Sequence, residues 1–174
     1  MAEGSKDAMI LITTSWQALG RAHQGNPATI ICDCTVVTLF AGFFVEANLN
    51  YIVEKLHLKN EMTAFLNNNR FPGLQDKLAW FYNKFIAGVK AKNRKELFEK
   101  GIRAKLIKRY PGFASLYRFR NDLSHGVIND TARSYSKVVV LRQQAKNIVD
   151  DLFDVVAHAG HNVPRDITYQ KAIQ

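Results

Sequence analysis

A chain of 174 residues suits one compact domain, since domains of about 150 residues are typical. Its 47% apolar and 22% charged residues can bury a continuous core, which excludes a disordered or low-complexity protein; the longest uncharged apolar run, Cys34 to Val45, covers 12 residues, short of the roughly 20 that span a bilayer, so no transmembrane segment is expected. Lys and Arg outnumber Asp and Glu by 24 to 15, net +9, and unevenly: residues 1–80 hold 6 basic and 7 acidic (−1), the remainder 18 and 8 (+10).

The N-terminal MAEGSKDAMILITTSWQ sets acidic residues ahead of a short apolar stretch and has no basic leader, which reads as a cytoplasmic protein. Apolar spacing predicts a first helix from Ser5 to about His23, stopped by QGNP at 24–27. A second helix runs from near Ala28 to about Leu56. Its front half, TIICDCTVVTLF, has strand-like propensity, but the spacing continues through Leu39, Phe43, Val45, Leu49, Ile52, Val53 and Leu56, favouring one long buried helix. Cys32 and Cys34 are too close for an ordinary disulfide and too few for a thiolate zinc site.

A helical turn around Glu61 to Leu66 and a loop, NNNRFPG at 67–73, come next. Leu74, Leu78, Phe81, Phe85 and Val89 then form the apolar stripe of a third main helix, with Lys77, Lys84 and Lys90 assigned to water. KAKNRK at 90–95 reads as a connection, Glu96 to Tyr110 as one helix ended by Pro111-Gly112, and Phe113 to about Ser124 as the next, closed by Gly126. The last long helix begins near Thr131, and its stripe of Val138, Leu141, Ala145, Ile148, Leu152, Val155 and Ala159 suits antiparallel bundle packing or a dimer seam. The expected fold is an all-α bundle of five to six helices over residues 1–160, with 161–174 a loose tail.

Ten basic residues between Lys84 and Arg109 oppose only Glu96 and Glu99. Such a face gathers polyanions (RNA, DNA or anionic lipid), or is a solvated lysine-rich surface. The informative chemistry is Arg118-Phe-Arg-Asn-Asp-Leu-Ser-His-Gly126, where a helical wheel puts Arg120 on the apolar arc of Phe113, Leu116, Phe119, Leu123 and Val127. A guanidinium there requires a carboxylate, with Glu46 and Glu54 as candidate mates, or a partner subunit or a wet cleft.

Arg120-Asn121 followed by His125 and a small residue resembles the signature of the HEPN superfamily of small all-helical domains. A preceding long helix with a polar pair, Glu46 and Asn50, and a Lys-bearing helix opening GLQDKLAWF add to the likeness. The resemblance implies a metal-independent endoribonuclease, often a toxin or antiphage effector, acting as a homodimer whose motifs share a cleft and restrained by an antitoxin or regulatory protein. It also allows a noncatalytic module that binds nucleic acid or a protein partner. Arg120 and His125 would be catalytic, with Asn121, Asp122, Glu46 and Asn50 in support. His125 suits general acid–base work on the 2′-hydroxyl and the leaving 5′-oxygen, and Arg120 suits a bidentate grip on phosphate, giving a 2′,3′-cyclic phosphate.

Arg120 and His125 lie about 140° apart on an ideal helix, so they meet only if the helix ends by Ser124 or a second subunit completes the pair. Val127 stands where toxins paired with a nucleotidyltransferase antitoxin carry a modified Tyr. The expected RNA-binding surface is Lys84, Lys90, Lys92, Arg94, Lys95, Lys105, Lys108, Arg109 and Arg118. No metal or other cofactor is expected; Asp154, His158 and His161 read as a surface cluster lacking a fourth ligand. Phe71, Trp80, Tyr82 and Tyr110 could stack bases, but their helical spacing favours a core role.

Overall fold

The computed structural model describes residues 3–26, 29–66, 73–87, 91–124 and 134–165, with side chains except at 3–12, 87, 119–121, 123 and 124. Among the described residues there are eight α-helices and one π-helical turn, and no strand. The chain is all-α.

Helix α1 (Glu3–His23) and helix α2 (Ile30–Lys55) form a hairpin whose open corner is tied by Arg21, its Nε 2.8 Å from the buried Asp33 carboxylate. The β-branched front of α2 is helical, as length and periodicity predict. Its polar groups are absorbed within the helix: Thr38 Oγ1 donates to the Cys34 carbonyl at 2.9 Å, and Asn48 Nδ2 to the Phe44 carbonyl at 2.8 Å.

Helix α2 is also long and apolar enough to cross a bilayer by length and composition, contrary to the exclusion drawn from its 12-residue uncharged run. The apolar stretch continues across Asp33 and Glu46, and both charges are paired inside the fold. Helices α1, α7 and α8 pack around α2, as around the core helix of a bundle compatible with a soluble protein.

Short helices follow: α3 (Lys59–Phe65), α4 (Leu74–Tyr82) with a π-helical turn at Asn83–Ala87, α5 (Arg94–Glu99) and α6 (Ile102–Arg109). Here the helix expected over Glu96 to Tyr110 proves to be two. Asn93 begins α5 by accepting from the Glu96 amide at 3.0 Å, and Gly101, at φ +73°, turns the chain before α6. With α3, this break raises the expected five to six helices to eight.

Helix α7 (Phe113–Ser124) and helix α8 (Tyr135–His158) complete the bundle. The α8 residues Val138, Leu141, Ala145, Ile148 and Leu152 are buried within the chain, and α8 lies along α2. The main core joins Leu49 and Ile52 of α2 to Trp80 of α4, Leu106 of α6, Leu116 of α7 and Leu152 of α8. A smaller cluster of Ala18, Leu19, Ala22, Cys34, Val37 and Val138 seals the hairpin against the start of α8.

The reading of 161–174 as a loose tail fails for its first residues. Pro164 accepts a hydrogen bond from Tyr51 Oη at 3.1 Å; Arg165 reaches the Asp154 carboxylate at 2.6 Å and the Asp150 carbonyl at 2.9 Å, over the Phe153 ring. Residues 166–174 lie outside the described part.

Candidate functional site

Helix α7 carries the Arg–Asn half of the motif. Buried Phe113 and Leu116 set its inner face on the core, and position 120 falls one turn after Leu116 on that face. Arg120 and Asn121 therefore belong to the last turn of α7 by backbone. Their side chains, and the whole of His125 and Gly126, lie outside the described residues, as do Lys90 and Phe71.

The supporting residues from α2 and α4 meet. Lys77 Nζ lies 2.7 Å from Glu46 Oε1 and 3.2 Å from Asn50 Oδ1. The Lys77 and Glu46 side chains are only 14% and 19% exposed, so Lys77 is an internal cation, contrary to its assignment to water. Its spacing carried the signal: it is three residues after Leu74 and four before Phe81, both buried. Glu46 and Glu54 are the two candidate mates of Arg120: Glu46 meets Lys77, and Glu54 is exposed.

On the outer face of α7, Arg118 is 80% exposed and stands 3.9 Å from Asp122, a loose approach along one helix. Beside them a cleft of about 320 Å³ opens between α6 and α7, lined by Gln75, Arg103, Ile107, Phe113, Ala114, Tyr117, Arg118 and Asp122. Sequence reasoning singled out neither Arg103 nor Tyr117. A second hollow, about 350 Å³, runs beside Asn50 and Lys77 to Lys59, Met62 and Thr63 of α3.

The basic surface is smaller than the charge count suggests. Lys84 is held by Glu61 at 2.7 Å, Arg94 by the buried Asp76 at 3.0 Å, and Arg109 by Asp151 through two bonds of 2.8 and 2.6 Å. Lys92, Lys95, Lys105 and Lys108 are exposed; among the described residues Lys105 and Lys108 meet no carboxylate, and Lys95 approaches Glu99 only at 3.9 Å.

Besides the Cys34 thiol, three groups depart from their ordinary ionisation. The Asp151 hydrogen bond holds Arg109 protonated well beyond its usual range. Burial, reinforced by its bond to Asp151, pushes the Tyr110 hydroxyl far up; on the exposed surface, the Lys100 hydrogen bond lowers Glu96. Arg109, Tyr110 and Asp151 thus form a clamp between α6 and α8.

The aromatic candidates divide by burial: Trp80 and Tyr110 are core residues, and Tyr82 is half-buried. Asp154 is taken by Arg165, and His158 Nδ1 lies 2.6 Å from the Asp154 carbonyl. His161 meets the Phe85 ring edge-on. Among the described residues no group of three His, Cys, Asp or Glu is placed to hold one metal ion. Cys32 is exposed and Cys34 buried, both as free thiols; burial, then Asp33, raises the Cys34 ionisation.

Comparison with protein-family models, with curated proteins and with solved structures yields no match. The functional reading rests on the residues themselves.

Proposed function

We propose that the chain is a metal-independent endoribonuclease of the HEPN type, cytoplasmic and homodimeric, working as a toxin or defence effector under an antitoxin or other regulatory protein. The observation that carries the reading is RNDLSHG entering the last turn of α7, a helix seated by Phe113 and Leu116 against the core of an all-α body. The polar trio of Glu46, Asn50 and Lys77 on α2 and α4, and the exposed cations of α5 to α7, support it.

In this reading His125 removes the 2′-hydroxyl proton, the 2′-oxygen attacks phosphorus, and the 5′-oxygen leaves with a proton. Arg120 compensates the charge gathering on the non-bridging oxygens. The products are a 2′,3′-cyclic phosphate and a free 5′-hydroxyl.

The purified protein should cleave RNA in excess EDTA and leave cyclic-phosphate ends, while His125→Ala lowers the rate about 10²- to 10⁴-fold and still binds RNA. Full activity in His125→Ala removes the proposal. Salt-sensitive RNA binding without cyclic-phosphate product assigns the chain instead to the noncatalytic binding modules.

A further inference from the structure

The cleft between α6 and α7 touches the RNDLSHG block only at Asp122, and its chemistry is specific. Part of its lining is apolar and aromatic: half-buried Tyr117, one helical turn after the buried Phe113 with ring centroids 6.0 Å apart, lines it together with the exposed Ile107 of α6. Two guanidinium groups and one carboxylate, Asp122, line the rest, a net positive charge. Arg118 is 80% exposed and its only carboxylate among the described residues, Asp122, is 3.9 Å away. Arg103 meets no carboxylate among the described residues. Both guanidinium groups are thus available, unlike Arg94 and Arg109, which are tied to Asp76 and Asp151.

We infer that this cleft is a single-nucleotide subsite for single-stranded RNA, with the base stacked on Tyr117 against Ile107 and the adjoining phosphate held by Arg103 and Arg118. A volume of about 320 Å³ is at the lower end of small-ligand pockets, roughly 300–1,000 Å³, and suits one nucleotide unit rather than a duplex. An aromatic face beside paired guanidinium groups is the combination that recognises an unpaired base together with its phosphate. An acidic peptide would use the cations but have no need of the ring. The inference concerns binding and holds whether or not His125 cleaves the strand.

The test is fluorescence anisotropy with a short labelled oligoadenylate, and with an abasic oligomer of equal charge, using protein carrying His125→Ala. Tyr117→Ala is expected to weaken oligoadenylate binding roughly 5- to 150-fold and to leave abasic binding unchanged. Arg103→Gln and Arg118→Gln should each flatten the slope of log K against log salt by about 0.7. Tyr117→Leu, which keeps apolar packing on Phe113 but loses the stacking face, gives the same answer if Tyr117→Ala fails to fold.

Oligoadenylate binding unchanged in Tyr117→Leu overturns the inference, as does displacement by polyglutamate that depends on the two arginines and not on Tyr117. Cleavage surviving in His125→Ala would defeat the nuclease reading and leave this subsite standing. Native binding in the cleft variants would defeat the subsite alone.

Discussion

Lys77 and Glu46 offer a direct test of how α4 is held on α2. Replacing Lys77 by Met removes a cation whose side chain is 14% exposed and leaves the Glu46 carboxylate, 19% exposed, without its 2.7 Å partner; it also removes the donor to Asn50 Oδ1. Breaking a fully buried pair costs about 3–5 kcal/mol. Partial exposure reduces this to ~2 kcal/mol, which in urea, with a slope of about 2 kcal/mol per molar, moves the midpoint down by roughly 1 M. Lys77→Met/Glu46→Gln removes both charges together and should recover part of the loss, with a coupling of about 1–2 kcal/mol in the double-mutant cycle. Equilibrium urea unfolding followed by circular dichroism measures all four corners, provided the slope stays constant. Additivity within about 0.5 kcal/mol would show that the two side chains are neighbours without an energetic bond, and the reasoning would fail.

The Tyr110 hydroxyl is held neutral above its ordinary range by burial and then by its bond to Asp151. A raised folded value stabilises below the unfolded value of about 10 and is lost as pH rises through the folded one. Tyr110→Phe should therefore sit about 1–2 kcal/mol below the native protein at pH 7, with the two stability curves converging above about pH 10; a constant offset on alkaline titration would contradict this. Gly112 is buried where a Cβ would overlap the Gln144 side-chain amide. Gly112→Ala is expected to cost about 1 kcal/mol or less, because only the flexible end of Gln144 has to move, and to cost nothing in a Gln144→Ala background, as thermal unfolding would reveal.

Helices α1, α7 and α8 were legible because each carries an apolar period over several turns; α2 is apolar nearly all round, and there length outweighed the strand propensity of its first half. The break at Gly101 was hidden because Leu97, Ile102 and Leu106 continue to supply buried apolar groups across it. Charge was read least well. A basic run does not say which cations are spoken for: Arg109 finds Asp151 42 positions away and Arg94 finds Asp76 18 positions back. Lys77 was misassigned for the same reason, its partner being on another helix. At the candidate site, the extent of α7 agrees with the sequence reading; the meeting of Glu46 and Asn50 at Lys77 was not legible there, and Arg103 and Tyr117 gain their interest only when α6 folds beside α7.

The anchored segment after α8 bears on how this protein is handled. Arg165 shields Phe153 and bridges two acidic residues of α8, while Tyr51 secures Pro164 to the central helix. A recombinant version trimmed at Gly160, where helical periodicity stops, would strip this latch, uncover an aromatic ring and leave Asp150 and Asp154 without their shared guanidinium. Tags and fusion joints therefore belong beyond residue 165.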